Sequence, residues 1–163
     1  MTGVRIGLGR LERVLSEVND LRAGADGVGR AAGPPRQEEL LDRLFDASSH
    51  LVVYGSLVPG GDNHHLLEDV PGTWREGWVT GQLRDRGWGA AAGYPALRWI
   101  PVAGEGEAPR VPAHLLASQR LASLWDRLDR FEGPGYRRIL VPFFAGGGDV
   151  AAVGNLYELD EAG

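Results

Sequence analysis

The chain contains no cysteine, which removes disulfides, thiolate nucleophiles, iron–sulfur clusters and every zinc site built on thiolates. It contains no lysine either, since all 17 basic residues are arginine. A Walker A lysine, a Schiff-base lysine and a Ser–Lys dyad are thereby excluded. Long apolar runs are also missing. No stretch approaches the roughly 20 residues of a transmembrane helix, and no apolar signal core follows Met1, so a cytoplasmic protein is expected. Positive charge is in deficit, with 17 Arg against 22 Asp and Glu giving a net charge of -5. That balance favours neither nucleic acid nor an anionic membrane as a partner.

What is present suits one compact domain with an appendage: 163 residues, of which 43% are hydrophobic and 24% charged. Val4, Leu8, Leu11, Leu15 and Val18 recur in alternating steps of four and three, which predicts an amphipathic helix of about five turns. Its stripe either packs on the chain's own domain or joins two subunits of a homo-oligomer, and two heptads are too few to prefer the second. Gly24, Gly27, Gly29, Gly33, Pro34 and Pro35 give the next segment the composition of a linker. The spacing of Gly27, Gly29 and Gly33 has one residue too many for a dinucleotide fingerprint, and no strand precedes it. The expected division is a helical extension over 1–22, a linker over 23–36 and a domain over 37–163. On this division the first 36 residues are expected to be dispensable for folding.

Within the domain a helix is expected over Gln37–Ala47 and a buried strand over Leu51–Tyr54, stopped by Gly55. A short helix follows around His64–Glu68, capped by Asp62 or Asn63. Strands are expected near Trp78–Leu83 and Pro95–Val102, either side of a Gly/Ala-rich stretch. Leu121, Leu124, Trp125 and Leu128 mark a helix over Ser118–Phe131, with Ser118 as N-cap. Tyr136–Phe144 and Val150–Leu159 read as a hairpin about Ala145–Asp149, and Pro142 marks an edge or a bulge. Several strands, one central helix and little βαβ alternation point to an α+β domain with a curled or closed sheet.

Two segments carry candidate chemistry. In Tyr54–Gly55–Ser56–Leu57 a glycine directly after a buried strand lets the backbone turn so that successive N–H groups converge on one anion or carbonyl oxygen; an ordinary tight turn is the plainer reading. In Leu128–Arg138 the carboxylate of Glu132 follows an aromatic at the end of an apolar-faced helix. The helix dipole and apolar surroundings would raise its pKa toward that of a general base, against the plainer reading of a solvated Glu. Asp129, three residues earlier on roughly the same side, is a competitor that geometry alone does not exclude. His64 and His65 are adjacent and their side chains diverge, which disfavours a shared metal ion, and no metal or cofactor is expected. Ser56 lacks the G-x-S-x-G elbow of a hydrolase nucleophile. The tryptophans are spread over different elements and read as core and pocket wall.

Taken together and in this order, the two segments resemble the gamma-glutamylcyclotransferase-like superfamily, including gamma-glutamylamine cyclotransferases and AIG2-like proteins. That family has a YGS/T-L loop after its first strand, an Asn-His run like Asn63–His64–His65, and an L-D-x-F-E-G segment before Y-x-R, matched here by Leu128–Arg138. Gly81–Gln82–Leu83 and Gly93–Tyr94–Pro95–Ala96–Leu97 resemble its intermediate motifs, so the likeness spans roughly Leu51–Leu159. Val111–Pro112–Ala113–His114–Leu115–Leu116 departs from the family's V-x-G-E-L-Y strand, and residues 1–50 have no counterpart in the minimal family domain.

The resemblance implies a small mixed β-barrel with packed helices. It implies a small-molecule gamma-glutamyl substrate cyclised to 5-oxoproline with release of the amine. Glu132 would be the general base, and Tyr54, Gly55, Ser56, Leu57 and Tyr136 would bind substrate. Because the substrate's own amine attacks its own carbonyl, proximity supplies much of the rate, and one base with a backbone loop suffices. The alternatives are a non-catalytic interaction module on the same fold and an amide hydrolase.

Overall fold

A computed structural model describes residues 7–24, 36–86, 93–104 and 106–160. Val4, most of the expected linker and the Gly/Ala-rich stretch with Trp88 lie outside the described residues. Helices α1 (Leu8–Gly24) and α2 (Arg36–Phe45) come first, and a 3-10 turn (Ala47–Ser49) leads into strand β1 (His50–Val53). Strands β2 (Thr73–Arg84), β3 (Ala96–Trp99) and β4 (Arg110–Ala117) follow, then helix α3 (Trp125–Glu132) and the hairpin of β5 (Tyr136–Ala145) and β6 (Asp149–Leu159). None of the described helices is long and apolar enough to cross a membrane.

Five strands close a barrel in the order β2-β4-β1-β6-β5, with β5 returning to β2 at Trp78 and Phe144 and β3 added on the outer edge of β2. The β1–β6 pairing is parallel and the others are antiparallel, so the sheet is mixed. This is the α+β barrel with packed helices that the sequence implied. Closure demands a close approach at β2. A Cβ on Gly77 would stand 2.1 Å from the carbonyl oxygen of Phe144, so only glycine lets the two strands meet there. The β5–β6 register slips between Phe143 and Phe144, beside Pro142 as expected of a proline in a strand.

The barrel interior is filled by side chains such as Val52, Val79, Val111, Leu115, Ile139, Phe143 and Leu156. Strands β5 and β6 are buried over most of their length because their outer faces are covered too. On one side α3 lays Trp125 and Leu128 against Leu51, Leu116 and Tyr157. On the other, α1 and α2 lay Leu11, Leu15, Val18 and Leu41 against Leu140 and Val153.

The stripe of α1 therefore packs on the chain's own strands, the first of the two readings given above. Polar side chains fasten it as well. The Asn19 amide donates to Leu140 O at 3.0 Å and accepts from Leu140 N at 2.8 Å, taking the part of a neighbouring strand. Buried Glu12 accepts the N–H groups of Val102 and Ala103 at 2.6 and 2.8 Å. Leu15 and Val18 are fully buried, each contributing about 1.5–3 kcal/mol, so α1 forms part of the core, which the expectation of a dispensable extension did not include.

Other boundaries moved. The helix expected over Ser118–Phe131 divides into a 3-10 turn (Gln119–Ser123) and α3, with Ser118 Oγ accepting from Arg120 N as the cap. The departure at Pro112 leaves β4 regular: it pairs with β2 from Thr73 through Thr80, Pro112 lying opposite Trp78.

Candidate active site

The end of β1, the end of α3 and the adjoining ends of β5 and β6 meet at one cavity. Tyr54, Gly55, Ser56 and Leu57 form one wall, Glu132 and Tyr136 another, and Tyr157 with Tyr94 and Pro95 the remainder. All six residues singled out in the sequence line this one space.

Continuing from β1, the loop folds back on itself: Val58 N donates to Gly55 O at 3.2 Å and Asn63 N to Ser56 O at 2.8 Å. The backbone N–H groups of Gly55, Ser56 and Leu57 have no hydrogen bond within the described residues. Three successive donors of this kind can receive an oxyanion or a carboxylate. The glycine is not required for the reason expected. Gly55 is not in the left-handed region, and a Cβ there would meet Tyr94 Cβ only at 4.0 Å. Within the described residues, neither backbone conformation nor crowding by the protein itself demands a glycine at position 55.

Glu132 is the last residue of α3, and Gly133, at φ 80°, turns the chain away with its N–H on Asp129 O at 3.0 Å. Burial pushes the Glu132 carboxyl from its ordinary 4.5 up to about 7, because the charged form loses water that the apolar walls do not replace. A carboxyl poised there exchanges protons readily at neutral pH. Asp129, its competitor in the sequence, is otherwise engaged: it accepts from Arg138 Nε at 2.9 Å and from the Tyr157 hydroxyl at 2.6 Å.

Ser56 Oγ accepts from Asn63 Nδ2 at 2.9 Å, and an amide cannot take a proton from a nucleophile. Asn63 thus braces the loop instead of capping the 3-10 turn (His64–Leu66), where its side chain makes no cap bond. His64 Nδ1 lies 3.1 Å from Leu57 O, and its ring leans on Trp74 with centroids 5.4 Å apart, whereas His65 is exposed. Among the described residues no group of three or more His, Asp and Glu side chains could hold a metal.

Sequence reasoning missed Tyr157 as a wall of the cavity, because it sits in the apolar run of β6 and reads as core. Tyr94 and Pro95 were visible as a motif, but nothing in their spacing placed them beside Glu132. A second, larger cavity of about 250 Å³ lies across Arg138, between α2 and the strands. Its guanidinium groups are already taken up, Arg22 by Glu38 and Asn155, and Arg138 by Asp129 and Asn155. The smaller cavity is the one that holds a displaced carboxyl and unengaged N–H donors.

A family model described as gamma-glutamyl cyclotransferase, AIG2-like, matches residues 51–162. Among solved structures, an AIG2-like protein from Mus musculus is similar, at 19% identity over 68% of this chain and 76% of that one, with a TM-score of 0.45. A protein from Arabidopsis thaliana is similar at 17% identity over 70% of each chain, with a TM-score of 0.49. The search of curated proteins found no match.

Proposed function

The chain belongs to the gamma-glutamyl cyclotransferase, AIG2-like family, and on that premise we propose that it cyclises the gamma-glutamyl group of an amine or peptide to 5-oxoproline. The observation that carries this reading is a single juxtaposition. A carboxyl displaced to about 7 shares a cavity with three successive unengaged N–H groups.

The chemistry follows from what each part can do. The substrate's alpha-ammonium cannot attack until it loses a proton, and Glu132 takes it. The freed nitrogen attacks the gamma-carbonyl, forming the ring N–C bond, while the N–H groups of Gly55, Ser56 and Leu57 receive either the developing oxyanion or the alpha-carboxylate. The C–N bond to the leaving amine then breaks as Glu132 hands that nitrogen the first proton, and the second proton of the ring nitrogen passes the same way, so the amine leaves as its ammonium and the ring keeps a single N–H. No water is consumed and the base is regenerated. Tyr54 and Tyr136 shape the space in which the glutamyl chain folds back, so that attack is unimolecular.

The test is to offer the purified full chain a panel of gamma-glutamyl amines and peptides and follow products by mass spectrometry. The reading expects 5-oxoproline and free amine in equal amounts. Release of glutamate in place of 5-oxoproline would identify a hydrolase, and binding without turnover across the panel would identify an interaction module.

A further inference from the structure

We infer that Asp129 is a positioning residue for this site: it holds the hydroxyl proton of Tyr157 and so withholds that donor from Glu132. The reading of Glu132 as base gives this its catalytic meaning, but the geometry stands apart from it.

A phenol has one proton to donate. The Tyr157 hydroxyl lies 2.6 Å from Asp129 Oδ1, the short distance of a charge-assisted O–H···O bond, so that proton is committed. Asp129 is not free to swing away. Arg138 grips it with Nε at 2.9 Å and Nη2 at 3.5 Å, a two-point hold on both carboxylate oxygens. Arg138 is itself fixed, its Nη1 on Asn155 Oδ1 at 3.1 Å and its guanidinium 4.7 Å above the Trp125 ring. Asn155 is buried and donates to Ala47 O at 3.0 Å, and Arg22 of α1 reaches the same Oδ1 at 2.9 Å. The grip on Tyr157 thus extends to a helix outside the part of the chain that matches the family.

Several ionisable groups surround this phenol. Asp129 and Glu132 face it from α3 and Arg138 from β5. Tyr136 of β5, Tyr54 at the end of β1 and Tyr94 before β3 share the cavity. Arg22 of α1 and Glu38 of α2 stand behind Arg138. Tyr54 has spent its own proton on Tyr157 O at 2.7 Å. Burial, the bond to Asp129 and the charges of Asp129 and Glu132 all oppose ionisation of Tyr157, so it keeps its proton throughout the working pH range. If Asp129 did not hold that proton, the phenol could donate to Glu132 and favour its ionised form, lowering its midpoint by about one unit.

The experiment is an NMR titration of the Glu132 carboxyl carbon in the full chain, which needs no substrate. The parent is expected to titrate near 7. Asp129→Ala removes the acceptor, and the midpoint is expected to fall by about one unit. Asp129→Asn removes the charge but keeps an acceptor oxygen, and is expected to stay close to the parent. Adding Tyr157→Phe to Asp129→Ala is expected to restore the parent midpoint.

Equal shifts in the Ala and Asn variants, or a shift that survives loss of the phenol, would overturn the inference, since lost charge alone would then account for it. An unmoved midpoint in Asp129→Ala would overturn it too. If Asp129→Ala does not fold, the parent decides: a downfield, exchange-protected hydroxyl proton that vanishes in Tyr157→Phe is expected, and its absence overturns the proposal. If Glu132 is not the base, these titrations still follow the pattern while turnover ignores them, so the two failures are told apart.

Discussion

The hydroxyl of Tyr54 donates to the carbonyl oxygen of Tyr157 at 2.7 Å, and the same phenol oxygen accepts Leu97 N at 3.0 Å. One side chain therefore ties the end of β1 to β6 and to β3 at the rim of the cavity. Tyr54→Phe strands a carbonyl and an N–H in a largely buried place, at a cost of about 1–3 kcal/mol. Urea unfolding is expected to show that loss, and KM is expected to rise more than kcat falls. Stability within about 0.5 kcal/mol of the parent would mean that the bridge holds nothing.

Helix α1 is expected to behave as core. Leu15 is fully buried against β5 and β6, so Leu15→Ala is expected to cost about 2–5 kcal/mol in denaturant unfolding. Deleting residues 1–36 is expected to abolish the cooperative transition. A truncated protein that melts cooperatively near the parent temperature would restore the reading of a detachable extension.

The reasons for these successes and failures lie in how far each signal reaches along the chain. The β5–β6 hairpin was legible because Ala145–Asp149 interrupts two apolar runs locally, and the Ser118 cap because its partner Arg120 is two residues away. The docking of α1 was not, since Asn19 finds Leu140 and Glu12 finds Val102 across most of the sequence while the glycines between helix and barrel suggest separation. In the site, Glu132 and the Tyr54–Leu57 loop each stood out by motif. Tyr157 did not, because a tyrosine in a run buried on both faces carries no mark of the cavity beside it.

The raised carboxyl carries a stability cost of definite sign. Between about 4.5 and 7 the folded chain holds a proton on Glu132 that the unfolded chain has lost, so stability falls as pH rises through that window and the cost is complete above it. Its size is on the order of 1–3 kcal/mol after allowance for partial exposure. Glu132→Gln is therefore expected to melt at a higher temperature than the parent at pH 8 and at nearly the same temperature at pH 4. Equal melting temperatures at both would mean that the carboxyl titrates normally.

The loop separates into backbone and side-chain contributions. Gly55→Val is expected to fold, since its Cβ has room, but to raise KM by crowding the N–H groups that meet the ligand. Ser56→Ala removes only a hydroxyl paired with Asn63, and is expected to change kcat less than threefold, about 0.6 kcal/mol. Complete loss of turnover in Ser56→Ala, with folding and binding intact, would identify a serine nucleophile instead.

The most direct measurement is the rate of 5-oxoproline formation by Glu132→Gln, which preserves shape and hydrogen-bonding reach but cannot accept the ammonium proton. With a gamma-glutamyl amine that the parent turns over, kcat is expected to fall by about 10²-fold or more while KM changes little. Formation of 5-oxoproline at close to the parent rate would contradict Glu132 as the base.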